Sequence, residues 1–177
     1  ECKSCYAYSL SLKSVFDENS LLSMLSPALR HEVLISIHQV AVGVLPIFRD
    51  QTATFTADLL QVMQPQLALP HTFIVRDGDI GNLIYFIVCG DVLVYEDAWP
   101  EADEEGNYTF ERAKVFMHGK GNFFGHEAVL SRKRHRITAR SLKMTQLYCL
   151  SKASIGELVD SIPKFAVLLH GALQAAM

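Results

Sequence analysis

The sequence predicts an α+β chain in which helices flank an antiparallel β-roll of jelly-roll type. Three observations predict it. Apolar residues recur at spacings of three and four over about 20–45, the stripe of an amphipathic helix. From Leu67 onward, β-branched and aromatic residues come instead in short runs punctuated by glycine, with no helix of crossover length between them. That texture favours antiparallel strands over a parallel sheet. After Leu150 the helical period returns.

The N-terminal stripe consists of Leu21, Leu22, Leu25, Leu29, Val33, Leu34, Ile37 and Val40. Asp17 and Ser20 suit an N-cap, and Ser26 followed by Pro27 reads as a cap plus a first-turn proline that opens a second helix. A further helix is expected over 52–64, after Pro46 and before Pro65. The strand runs are "TFIVRDGD", "LIYFIVCGDVLVYED", "FERAKVFMHGKGNFFG" and "RITARSLKMTQLYCLS". Between them "DAWPEADEEGN", residues 97–107, is acidic and turn-rich, a solvated hairpin loop. The closing helices carry Ile155, Leu158, Val159 and Ile162 and, past Pro163, Phe165, Leu168 and Leu169.

A chain of 177 residues with 50% hydrophobic content can bury one sizeable core. Its formal charge of −3 argues against a whole-surface attraction to nucleic acid. No apolar stretch reaches the roughly 20 residues a membrane helix needs, and the longest, "VAVGVLPIF" at 40–48, is broken by Gly43 and Pro46. Cys2 and Cys5 form a C-x-x-C pair without the second pair a zinc site would want, while Cys89 and Cys149 sit in apolar runs. The opening "ECKSCYAYS" has no methionine and reads as a cut from a longer chain.

The chemistry concentrates in "GKGNFFGHEAVLSRKRHRITARS", residues 119–141. A glycine turn running into a short helical segment leaves backbone N–H groups able to meet an anion. Gly125 would let a ligand approach the main chain, and Ala128 would leave room beside it. A phosphate there needs a cation, and the guanidinium of Arg134 or Arg136 is the two-pronged donor best suited. Glu127 could accept hydrogen bonds from a sugar hydroxyl.

With Gly78, Gly81, "Tyr85-Phe86-Ile87", "Gly90-Asp91-Val92", "Phe124-Gly125" and "Leu147-Tyr148-Cys149-Leu150-Ser151" in matching order, residues 70–151 resemble the cyclic-nucleotide-binding domain. Residues 16–33, "FDENSLLSMLSPALRHEV", are similar to the later part of the C-linker of hyperpolarisation-activated and cyclic-nucleotide-gated cation channels. The resemblance implies a C-linker-like helical segment over 1–45 and a binding domain over 46–177, with its β-roll at about 67–150 and helices at 152–177. It implies a nucleotide site, for cAMP or cGMP, formed by Phe124, Gly125, His126, Glu127, Ala128 and Val129 together with Arg134, His135, Arg136 and Thr138. It further implies a regulatory domain rather than an enzyme, without metal or other cofactor. The expected setting is the cytoplasmic side of a membrane, joined to the rest of a channel polypeptide that assembles as a homotetramer.

The chain departs from the family's pattern at telling places. His126 stands where the family has a glutamate directly after Phe-Gly, and Glu127 comes one place later. On a helical turn one place is a rotation of about 100°. Counted back from "LYCLS", the family's phosphate-binding arginine falls on His135, and Arg136 takes its hydroxyl place. In an extended segment Arg134 and Arg136 share one face while His135 takes the other. Two registers follow, one presenting Glu127 and Arg136 to the ligand and the other His126 and His135. "PHT" at 70–72 replaces a glycine turn, which touches folding more than binding. The family also closes its pocket with a long final helix, and here the chain stops at Met177.

Rival readings are a fold of this kind that has lost nucleotide binding, as in ether-à-go-go-type potassium channels, and the regulatory domain of a sperm-type sodium/proton exchanger. A metal-dependent cupin is disfavoured because the seven histidines include no H-x-H pair. "RKRHR" has no interleaved aromatics to stack on nucleic-acid bases.

Overall fold

The computed structural model describes residues 22–96, 101–102, 108–109, 114–131, 133–161 and 165–175. The proposed caps Asp17 and Ser20 and the C-x-x-C pair lie outside them.

Helix α1 (Pro27–Ile37) starts where the Ser-Pro pair says it should. The Ser26 hydroxyl accepts the Leu29 N–H at 3.5 Å, and Pro27 needs no partner for its missing N–H. The periodic stripe continues to Val40, but the helix breaks at His38 and resumes as α2 (Gln39–Val44). The break turns the His38 ring inward, where Nδ1 meets the Tyr148 hydroxyl at 2.6 Å. The stripe is also less covered than its spacing predicts. Leu34 is buried, yet Leu29, Ile37 and Val40 stay at the surface, because α1 rests on α3 (Ala53–Val62) through one edge of the stripe. A single 3-10 turn, Pro46–Phe48, links α2 to α3, and the Thr52 hydroxyl caps α3 by accepting the Phe55 N–H at 3.2 Å.

Strands β1 (Gln64–Ala68), β2 (Phe73–Val75), β3 (Leu83–Cys89), β4 (Val92–Glu96), β5 (Glu101–Ala102) and β6 (Tyr108–Thr109) follow. After them come β7 (Lys114–His118) and β8 (Phe123–Phe124), helix α4 (His126–Ser131), and strands β9 (Ile137–Ser141) and β10 (Thr145–Ser151). Helices α5 (Lys152–Ser161) and α6 (Phe165–Ala175) close the chain on either side of Pro163. One sheet has the order β1-β10-β3-β8 and the other β2-β9-β4-β7, every pairing antiparallel. Of the expected loop at 97–107 only Glu101–Ala102 is described, pairing as β5 with β6, and the rest lies outside the described residues.

The continuous apolar run of β3 is explained by burial on both faces. Ile84, Phe86 and Val88 point to the helices, where they join Phe48, Phe55, Leu59, Phe165 and Leu169. Tyr85 and Ile87 point the other way, into the space between the sheets, with Val92, Val94, Phe124 and Ala139. β10 alternates likewise, Tyr148 and Leu150 facing the helices and Leu147 and Cys149 the roll. β8 inherits this alternation. Phe123 faces the helices and Phe124 the roll, and the chain leaves β8 directly into the glycine turn.

Candidate functional site

Gly125 sits at φ +84°, the left-handed region that a side chain resists. A Cβ at this position would lie 2.9 Å from the Leu83 carbonyl oxygen and 3.3 Å from both the His135 ring and the Tyr85 ring. The turn is therefore pressed against β3 and against the segment that returns from α4. Beneath α4, Gly81 touches Ala128 so closely that a Cβ would come within 2.7 Å of the Ala128 carbonyl carbon and 2.9 Å of the Lys133 carbonyl oxygen. Three small residues thus let the loop before β3, the turn and α4 close on one another.

The segment 133–136 gets its orientation from that loop. The His135 N–H donates to the Asp79 carbonyl at 2.8 Å, and the Gly78 N–H donates to the His135 carbonyl at 2.9 Å. A bridge between Ile80 and Arg134 adds to this pairing. Extended backbone puts alternate side chains on opposite faces. His135 goes inward and is 3% exposed, while Arg134 and Arg136 are exposed. The Arg134 guanidinium donates to the Gly78 carbonyl at 2.6 Å.

A cavity of about 540 Å³ opens over the turn, within the usual range for small-ligand sites. Eight of the ten candidate residues line it: Phe124, Gly125, His126, Glu127, Ala128, Arg134, His135 and Arg136. Val129 does not, being packed into the helix-side core, and neither does Thr138, whose hydroxyl accepts the Asp77 N–H at 3.1 Å. Sequence reasoning missed Val94, Glu96, His118 and Ile137 on the opposite wall. Their signal lay in the pairing of β4 with β7 and β9, which sets Val92 against His118 and Glu96 against Ile137. A second cavity of similar volume lies under the loop before β3 and shares Arg134 and His135 with the first.

Three imidazoles dominate the electrostatics. His118, His126 and His135 each have a buried Nδ1 with no hydrogen-bond partner among the described residues. Burial holds all three below the ordinary imidazole value, because a low-polarity site disfavours the charged ring. Glu96 opposes this at His118, Glu127 at His126 and Asp79 at His135, whereas His118 depresses His126 further. The His126 ring also stands edge-on to Phe123, centroids 4.8 Å apart. Among the described residues no group of three or more His, Cys, Asp or Glu is placed to hold a metal ion. The arrangement is a cavity with neutral imidazoles inside, apolar walls at Val94 and Ile137, and charged Glu127, Lys133, Arg134 and Arg136 at its exposed edge.

The family model described as "Cyclic nucleotide-binding domain" matches residues 66–161. The cyclic nucleotide-gated channel rod photoreceptor subunit alpha of Gallus gallus is 29% identical over 171 residues, covering 93% of this chain and 25% of that protein. The cyclic nucleotide-gated channel alpha-2 of Homo sapiens is 30% identical over 164 residues, covering 89% of this chain and 23% of that protein. The chain thus spans about a quarter of the length of these relatives. Among solved structures, the Thermus thermophilus Catabolite Activator Protein superposes with a TM-score of 0.58 at 22% identity, covering 73% of this chain and 57% of that one. That likeness speaks for the fold alone.

Proposed function

The chain belongs to the cyclic nucleotide-binding domain family, and from that premise we propose that the cavity over Gly125 binds cAMP or cGMP. The observation that carries this reading is the convergence of eight candidate residues on one cavity of small-ligand size. The purine and sugar would lie between Val94, Ile137 and α4, and the cyclic phosphate against the Gly125 turn.

The larger role proposed is that of a cytoplasmic regulatory domain coupling nucleotide occupancy to the gating of a fourfold-assembled membrane cation channel. Residues 1–45 would serve as the C-linker part and 46–177 as the binding domain. Coupling requires that the ligand prefer one arrangement of the helices over another. The buried His38–Tyr148 bond supports a route, since it ties the helical segment to β10, the neighbour of β3, whose Leu83 carbonyl touches the turn. A sodium/proton exchanger is the alternative host.

Titration of the protein with fluorescent cAMP and cGMP, beside Arg134→Glu and Arg136→Glu, tests the reading. Saturable binding, weakened by at least one of these reversals of edge charge, is expected. Absence of saturable binding by the wild type at every pH would refute it. A second reading, the same fold without nucleotide affinity, is favoured by one observation: the buried polar groups lining the cavity are imidazoles, whose burial disfavours the charged form.

A further inference from the structure

Among the described residues, the cations that line the cavity are exposed side chains, and its buried polar groups include no permanent cation. The Arg134 guanidinium is bonded to the Gly78 carbonyl, Arg136 and Lys133 are exposed, and the buried polar groups are His118, His126 and His135. A cyclic phosphodiester carries one negative charge at every physiological pH. Burying that charge without a counter-charge is costly. The cavity therefore contains groups that are neutral when it is empty and can become cationic when an anion enters.

Resting on the nucleotide-binding reading above, we propose that this cavity takes up its anionic ligand together with a proton, and that the His135 imidazolium is the group that meets the phosphate. His135 is 3% exposed, its Nδ1 has no partner among the described residues, and its ring packs on the Gly125 turn, 3.3 Å from where a Cβ would be. No bond of the ligand breaks; one solvent proton moves to the ring.

The surroundings select His135 over its neighbours. From the loop before β3, Asp79 faces it and favours the charged ring. From β3, Tyr85 faces it as a neutral phenol, its pKa pushed up to about 12. From α4 come His126 and exposed Glu127, from β4 Glu96, from β7 His118, and from its own segment Lys133, Arg134 and Arg136 at the edge. His118 disfavours the charged form of His126, and His135 is the imidazole whose ring packs on the Gly125 turn where the phosphate would sit. Burial lowers the empty-state pKa of His135 and the bound phosphate raises it. Between those two values binding consumes a proton, and affinity rises as pH falls, by up to about tenfold per pH unit for one proton. Above that window the site binds weakly. The two readings of the preceding subsection then become two pH regimes of one site.

Calorimetric titration with cAMP and cGMP from about pH 5.5 to about pH 8.5, in buffers of different ionisation enthalpy, counts the protons taken up by wild-type protein. The range is kept to pH values at which the circular dichroism is unchanged. An uptake approaching one proton and an affinity that rises on acidification are expected. His135→Gln should bind weakly with a flat profile, and His135→Arg tightly with a flat profile. Wild-type binding with no proton uptake, or a His135→Gln profile that keeps the wild-type slope, overturns the proposal while leaving nucleotide binding intact. Binding by His135→Arg with none by wild type at any pH overturns the proposal and leaves the second reading, a fold without nucleotide affinity. Binding by neither variant nor wild type at any pH removes both.

Discussion

Two buried histidines, one on each side of the sheet β1-β10-β3-β8, have opposite surroundings. On the helix side, His38 is 8% exposed, and its Nδ1 is matched by the Tyr148 hydroxyl at 2.6 Å with the two rings edge to face. On the cavity side, His135 is 3% exposed and its Nδ1 is matched by nothing described. Folding satisfies nearly all buried polar groups. The first histidine is therefore part of how the chain is held together, whereas the second is a cost that an empty cavity bears and a ligand can relieve. His118 and His126 share the second condition.

The largest effect should come from breaking the satisfied pair. Tyr148→Phe keeps the ring in its helix-side core and removes the hydroxyl that meets His38 Nδ1, which is expected to cost about 2 kcal/mol. Urea unfolding measures it, and a loss below about 0.5 kcal/mol would mean that His38 finds another partner as readily. The same change should leave nucleotide affinity within a few-fold if helix and cavity sides are energetically separate. A larger effect on affinity would show the coupling route proposed for this bond.

The unsatisfied side should respond in the opposite direction. Replacing His135 with leucine removes a buried polar group that has no partner, so the empty protein should gain up to about 1 kcal/mol while losing its ligand. The contrast sharpens with pH. His118, His126 and His135 all have folded-state values below 6.5, so the unfolded chain takes up these protons first. Stability of the empty protein should therefore be fully present above 6.5 and fall as pH drops through the lowered values. Each histidine replaced by glutamine should flatten that fall, and saturating nucleotide should oppose it. An acid profile unchanged in the triple glutamine variant would place the titrating groups elsewhere.

The roll itself was legible because its signal is local. Short runs of β-branched and aromatic residues, and glycines at the turns, need no knowledge of distant residues. The glycine turn was legible for the same reason. Which side chains enter the cavity was not. That choice depends on parity: a slip of one residue exchanges His135 for Arg136. Parity here is fixed by the pairing of 134–135 with 78–80, a contact between segments far apart in sequence. His118 was hidden likewise, because only the β4–β7 register brings it to the wall. The partner that His38 meets at the helix break, Tyr148, is 110 residues away.

His71 supplies a third environment and the smallest expected effect. It stands in "PHT", where the family's pattern has a glycine turn, and it adopts φ +61° as a non-glycine residue. Its side chain is exposed, so no buried nitrogen is at stake. What holds the turn is backbone: the His71 N–H donates to the Ser141 carbonyl at 2.8 Å, and the Ser141 N–H returns a bond to the Thr72 carbonyl at 3.0 Å. Left-handed backbone costs a residue with a Cβ about 1 kcal/mol, and glycine escapes that cost while giving back part of it through a freer unfolded chain. His71→Gly should thus stabilise the protein by about 0.5 kcal/mol, read by urea unfolding. A loss of stability in this variant would show that the His71 side chain, and not the backbone pairing with Ser141 alone, holds the turn.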